Sequence, residues 1–115
     1  KIFILNNQYM GMVRQWQELL HEKNYSESYS KALPDFVKLA EAYGCAGIRA
    51  EDPDELDEKI EEMISTDGPV IFDCHVDQDE NCFPMIPSGK PHNQMLLGPK
   101  DQEENKITGK GKALV

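Results

Sequence analysis

KIFILNNQYMGMVRQW, residues Lys1–Trp16, decides how the chain reads. An apolar run, Ile2–Leu5, stops abruptly at two asparagines, Asn6 and Asn7. A short polar turn follows, then Gly11 and an amphipathic segment. This is the pattern of a buried strand that feeds a loop and opens a helix. In open parallel α/β sheets, ligands bind just beyond the carboxyl ends of the strands, and Asn6-Asn7 sits at that place. The first amides of a helix have no partner inside it and carry partial positive charge, which suits a phosphate. An asparagine carbonyl is a hard oxygen donor that suits Mg²⁺. Together these features point to a metal–diphosphate site.

Outward from this stretch, Met12, Val13, Trp16, Leu19 and Leu20 form one apolar stripe on a helix expected to run to about Asn24. Read from the residues alone, core packing is the favoured account of the stripe, Met12 and Trp16 included. Tyr25–Ser30 is a polar connection without periodicity and is expected to be a loop. Leu33–Gly44 reads as a second helix. Pro34 suits its first position, Asp35 its first turn, and Gly44 stops it. Its apolar side is expected to be Phe36, Val37, Leu39, Ala40 and Tyr43. Cys45–Ala50 reads as a short buried strand, with Arg49 paired to a nearby carboxylate. Asp52-Pro53-Asp54-Glu55 starts a third helix: Asp52 caps it, Pro53 presets its first φ, and Glu55 reaches back as in a capping box. Leu56, Ile60, Met63 and Ile64 are its expected buried face. Its acidic residues make a solvated one rather than a metal cluster. Gly68-Pro69 ends this helix, and Val70–Val76 is a third strand. Asp73 and His75 are expected at its end or at a subunit contact, with nothing near His75 in the sequence to orient it as a base. The order strand–helix–helix–strand–helix–strand implies parallel pairing with helices on both faces. The expected fold is therefore α/β, a three-layer α/β/α arrangement with a parallel sheet.

Composition narrows the function classes. The chain has 115 residues, enough for one domain with a modest core. Its 12 Lys+Arg against 21 Asp+Glu give a formal charge of -9, which argues against a nucleic-acid partner. No apolar run reaches the length of a membrane span, and no signal peptide is visible. Cys45, Cys74 and Cys82 have no framework spacing and are expected to be reduced thiols. Zinc bound by Cys74, His75, Cys82 and His92 fits no standard spacing, and adjacent strand residues point to opposite faces. The chain starts without Met inside a hydrophobic strand and reads as a piece of a longer polypeptide. Residues 1–90 are expected to be domain and 91–115 a tail. Within that tail, Gly98–Val115 is polar and aperiodic and is expected to be flexible.

The stretch ILNNQYMGMVRQWQELL resembles the second half of the thiamine-diphosphate motif, and in particular the catalytic large subunit of acetolactate synthase (acetohydroxyacid synthase). The specific part is Gly11-Met12-Val13-Arg14-Gln15-Trp16. Leu33–Ala40 and Pro84-Met85-Ile86-Pro87-Ser88-Gly89 also resemble that family's carboxyl-terminal region. The resemblance covers roughly residues 1 to 90 and makes this chain the C-terminal part of a thiamine-diphosphate-binding domain.

The resemblance carries further expectations. It makes the Asn7 side-chain oxygen and the Tyr9 carbonyl ligands of Mg²⁺. It makes the backbone of Gln8, Tyr9, Met10, Gly11 and Met12 the holder of the diphosphate, and sets Met12 against the cofactor. Met12, Val13, Trp16 and Ser88 would line a substrate or inhibitor channel, with Phe83–Gly89 returning to its wall. Three parts are expected outside the chain: an aspartate from a Gly-Asp-Gly element, the cofactor-activating glutamate from a second subunit, and the FAD-binding middle domain. The isolated piece is expected to be inactive. The family reaction decarboxylates pyruvate with thiamine diphosphate and joins the two-carbon remainder to pyruvate or 2-oxobutyrate, for branched-chain amino-acid synthesis. A homodimer or larger homo-oligomer and a regulatory subunit are implied. The implied location is cytoplasmic, or plastid or mitochondrial in a eukaryote. Two rival readings stand beside this one: another thiamine-diphosphate 2-oxo acid decarboxylase or oxidase, and a non-catalytic acidic α/β interaction module.

Overall fold

The computed structural model describes residues 1–99. Three strands form one parallel sheet: β1 (Ile2–Asn6), β2 (Ala46–Ala50) and β3 (Val70–His75), in the order β1-β3-β2. The helices are α1 (Gly11–Leu20), α2 (Phe36–Ala42) and α3 (Leu56–Ser65). Phe3 pairs with Phe72 and Ile48 pairs with Phe72, so the middle of β3 is covered from both sides. The chain divides into two compact units. One holds Lys1–Tyr9 and Ser30–Asp79. The other holds, among the described residues, Met10–Tyr29 and residues 80–99.

The sheet unit follows from strand alternation. Side chains along a strand alternate between faces. On one face, Ile48, Ala50, Val70, Phe72 and Cys74 form the core, and Leu56, Ile60 and Met63 of α3 pack against it. Phe3 joins this face edge-on to Phe72, with ring centroids 4.6 Å apart. On the other face lie Gly47, Arg49 and Asp73. There α2 comes so close that a Cβ on Gly47 would stand 2.8 Å from the Val37 backbone. The two helices therefore lie on opposite faces, which gives the expected three layers within this unit.

Caps set the helix boundaries. Asp35 lies outside α2 rather than in its first turn. Its carboxylate accepts from the amides of Val37 and Lys38, so it is the N-cap and Pro34 precedes the helix. At α3 the capping box forms as expected. Asp52 accepts from the Asp54 amide, and Glu55 accepts from the amides of Glu51 and Asp52. Residues Pro53–Glu55 make a 3-10 turn before the α-helix begins. Ile64, expected on the buried face, is 67 % exposed. Leu39 and Tyr43 of the α2 segment are exposed too, and only Ala40 is fully buried there.

In the second unit, α1 ends at Leu20 and not near Asn24. Glu22 and Lys23 adopt left-handed conformations, φ 56° and 62°, which cannot continue a right-handed helix. Beyond Glu80, the Phe83–Pro84 bond is cis and Met85 forms an antiparallel bridge with Leu96. Leu96 is buried, although it falls in the segment expected to be tail. Residues 100–115 of that tail lie outside the described residues. Among the described residues no helix is long and apolar enough to cross a membrane.

Candidate functional site

The carboxyl end of β1 is a turn built by its two asparagines. Asn6 Oδ1 accepts the Gln8 amide at 3.1 Å, and Asn7 Oδ1 accepts the Tyr9 amide at 3.1 Å. Each is an Asx turn, the local bond that makes asparagine common where a strand must stop. Gln8 is left-handed, φ 61°, and its carbonyl accepts from the Ser30 amide at 2.8 Å. Asn6, Asn7, Gln8 and Tyr9 line a cleft of about 150 Å³ with Leu33 and Phe36. Pockets for whole organic ligands are roughly 300–1,000 Å³. This cleft suits an ion or a phosphate group.

Behind the turn runs a polar ladder. Asn6 Nδ2 donates to Asp73 Oδ1 at 2.8 Å. Arg49 Nε donates to Asp73 Oδ2 at 3.1 Å, and its other arm donates to Asp35 Oδ1 at 2.9 Å. His75 Nε2 lies 3.4 Å from Asp73 Oδ2 and its Nδ1 lies 3.4 Å from Glu51. Asp73 is 1 % exposed, in the middle of the sheet. It is therefore not at the strand's end, one of the two places the sequence suggested, whereas His75 is the last residue of β3. A buried carboxylate persists only when paired and hydrogen-bonded, and here Arg49 and Asn6 do both. The expected partner of Arg49 is thus found twice over. Burial pulls Arg49 down, but Asp73's hydrogen bond and the charges of Asp35 and Asp73 outweigh it, and its pKa is raised. The Asp35 carboxyl is held below its ordinary value by the Lys38 amide and by Arg49. Burial, then the charge of Asp73, pushes the Cys74 thiol up. His75, which the sequence left without an orienting group, touches two carboxylates. The pairing of Arg49 with a carboxylate was the one signal in the sequence that could have led to this ladder.

Helix α1 begins differently from the other two. Its N-cap, Met10, makes no side-chain cap hydrogen bond, unlike Asp35 of α2, and its first turn holds no acidic residue, unlike that of α3 with Asp57 and Glu58. The start of α1 is thus open to an anion from outside. Its sides are inverted relative to the expected stripe. Arg14 and Gln15 are buried, whereas Met12 is 51 % and Val13 42 % exposed. Arg14 pairs with Glu18 at 3.1 Å and lies over the Tyr25 ring. Gln15 Oε1 accepts the Cys82 amide at 2.7 Å, and its Nε2 donates to the Cys82 carbonyl at 3.1 Å. The apolar side faces an open groove of about 920 Å³, lined by Met12, Val13, Trp16, Gln17, Leu20 and His21. Leu20 alone of the stripe is fully buried. Ser88 is half-buried after Pro87 and does not line this groove.

Residues 1–74 match the family described as "Thiamine pyrophosphate enzyme, C-terminal TPP binding domain". The chain belongs to that family. It is similar to the acetolactate synthase large subunit of Cyanidium caldarium, 53 % identical over 97 residues, which is 84 % of this chain and 17 % of the relative. The acetolactate synthase large subunit of Haemophilus influenzae is 43 % identical over 105 residues, covering 90 % and 18 %. The mitochondrial acetolactate synthase catalytic subunit of Saccharomyces cerevisiae is 47 % identical over 96 residues, covering 84 % and 14 %. The chain spans less than a fifth of the length of these relatives.

The donors found here fit the thiamine pyrophosphate family's cofactor. Asn7 offers a neutral hard oxygen with one of two lone pairs taken by the Tyr9 amide. In the other unit, taken by itself, the first turn of α1 has amides that its N-cap side chain does not bond. Among the described residues no group of three or more His, Cys, Asp or Glu could hold a metal ion.

Proposed function

We propose that this chain is the cofactor-holding C-terminal part of an acetolactate synthase catalytic subunit. The observation that carries the reading is the Asn6–Tyr9 turn at the end of β1, with Asn7 lining a cleft sized for an ion or a phosphate. The names of the relatives support the parent activity. Asn7 Oδ1 and the Tyr9 carbonyl are the proposed Mg²⁺ donors. Backbone groups of Gln8, Tyr9, Met10, Gly11 and Met12 are the proposed diphosphate holders. Gly11 is the first residue of α1, where a bare Cα allows close approach.

When bound, thiamine diphosphate supplies an ylid and an electron sink for 2-oxo acid chemistry. The chain's own residues bind and orient. Met12, Val13 and Trp16 present an apolar wall from one helix face, and exclude water from what lies against it. In the complete enzyme the substrates are pyruvate and a second 2-oxo acid, pyruvate or 2-oxobutyrate. FAD binds elsewhere in the longer polypeptide. A homo-oligomer and a separate regulatory subunit are the proposed partners. The compartment is the cytoplasm, or a plastid or mitochondrion in a eukaryote, as the name of the yeast relative suggests.

The test is Asn7→Ala in the complete enzyme. A carbonyl ligand is lost, so the apparent Kd for thiamine diphosphate with Mg²⁺ should rise about tenfold or more, an ordinary cost for losing one metal contact. Wild-type affinity removes Asn7 from the ligand set. Analysis of the product made from pyruvate then separates acetolactate synthase from a decarboxylase or oxidase of the same fold.

A further inference from the structure

Asn6 and Asn7 are adjacent, yet the structure gives them different work. The Asn6 side chain is spent inside the protein. Its Nδ2 donates to Asp73 and its Oδ1 accepts from the Gln8 amide. We propose that Asp73 is a positioning residue for the cofactor turn: by holding Asn6, and through it the amide of left-handed Gln8, it fixes the turn that presents Asn7 and Tyr9. This inference rests on the proposed cofactor site and goes beyond it.

Three observations carry it. First, Asp73 is a charge buried in the middle of the sheet. Well-packed apolar residues often serve stability as well as a buried ion pair does or better. Its neighbours along β3, Phe72 and Cys74, are such residues, both buried in the core. Second, its two oxygens are divided by direction. Oδ1 goes to Asn6 of β1, and Oδ2 to Arg49 of β2 with His75 Nε2 of β3 3.4 Å away. Arg49 is itself anchored to Asp35 at the start of α2. The carboxylate thus ties the turn to the other strands. Third, the turn is costly to hold. A non-glycine residue in the left-handed region costs about 1–2 kcal/mol, and Gln8 sits there at φ 61°. Its amide, its carbonyl and its side chain are each held, by Asn6, by Ser30 and by Gln78. Of these three, the Asn6 contact is the one backed by a buried charge.

The test is a swap in the complete enzyme, read by direct titration of thiamine diphosphate with Mg²⁺ in the absence of substrate. Asn6→Asp sets a second carboxylate against Asp73, and should raise the Kd about tenfold. Adding Asp73→Asn should restore it to within about threefold. An amide at position 73 can accept from Arg49 and donate to a carboxylate at position 6, which still accepts from Gln8. With cofactor saturating, KM for pyruvate should stay within about twofold throughout, which a general loss of structure would not allow. Asn6→Ser adds no charge and no longer reaches Asp73. It covers the case in which the single aspartate variant does not fold, and its Kd should also rise about tenfold. Wild-type affinity in Asn6→Ser, or a swap that fails to restore binding, overturns the proposal. Asn7→Ala run alongside separates the two readings. If Asn7→Ala also binds normally, the cofactor site itself is wrong; if it alone loses affinity, only the role of Asp73 falls.

Discussion

Gly47 shows how tightly single positions are set. A Cβ there would stand 2.8 Å from both Cα and O of Val37 and 2.9 Å from its Cγ1. Two of the three are backbone atoms and cannot swing aside, so α2 as a whole would have to move. Gly47→Ala should destabilise the protein by about 2 kcal/mol, the usual range for overpacking, seen as a lower midpoint in denaturant. An unchanged midpoint would mean that α2 is not seated on β2 as described. Trp16 is the other residue whose replacement is informative. It lines the groove of α1 without being fully buried. In the complete enzyme, Trp16→Leu should weaken planar herbicide-type inhibitors about tenfold or more, since an aromatic stacking surface is lost. Cofactor affinity should hold. Equal inhibition of both enzymes would take Trp16 off the channel wall. At this scale the sequence was legible where a residue's chemistry is local. The box of Asp52 and Glu55 was expected and involves partners within four positions, as do the Asx turns of Asn6 and Asn7, where the sequence showed only a strand stop and a polar turn. Asp73 was misplaced because its partners, Asn6 and Arg49, lie 67 and 24 positions away.

The strands were legible as elements because apolar runs bounded by Asn, Gly and Pro have few other uses. Their parallel pairing followed from the alternation with helices. Helix faces were less legible. A periodicity argument assumes that polar residues face water, and α1 breaks it by burying Arg14 and Gln15. Both are satisfied inside, Arg14 by Glu18 and Gln15 by both backbone groups of Cys82. Burial of an amide costs little once its hydrogen bonds are made. Removing Gln15 should therefore be expensive in a specific way. Gln15→Leu keeps the volume but removes the partner of the Cys82 amide, at a cost of about 1 kcal/mol, and should increase hydrogen exchange at Cys82 more than within β3. Uniform exchange across the chain would show that Gln15 does not pin this segment. The helix caps predict a pH effect. Asp35 has its pKa lowered by the amide of Lys38 and by Arg49, and Glu55 by the amides of Glu51 and Asp52. A carboxyl with a depressed folded pKa adds stability above its unfolded value, near 3.9 for Asp and 4.3 for Glu, and that stability disappears as pH falls through the folded value. Melting temperature should thus fall below about pH 4, and less steeply in Asp35→Asn. Identical acid limbs for the two proteins would show that this cap contributes no pH dependence.

At the scale of the whole chain, the structure offers an outer strand and half of a chemistry. β1 pairs with β3 on one side only among the described residues, and its Ile2 and Leu5 are 57 % and 69 % exposed. Unpaired apolar edges associate. The donors point the same way. Mg²⁺ is ordinarily held through one or two carboxylates besides phosphate oxygens. The turn at Asn6–Tyr9 brings an amide oxygen and main-chain carbonyls, and the carboxylate bonded to it, Asp73, is committed to Asn6 and Arg49. This turn alone supplies too little negative charge to keep the ion that would anchor a diphosphate. The 115 residues also span less than a fifth of the relatives whose names carry the activity. The isolated chain should therefore release no CO₂ from pyruvate above background when given saturating thiamine diphosphate and Mg²⁺. In gel filtration it should elute as larger species at higher concentration. Turnover by the isolated chain would show that the missing charge is not needed, and the division of labour between Asn7, Tyr9 and the rest of the enzyme would have to be redrawn.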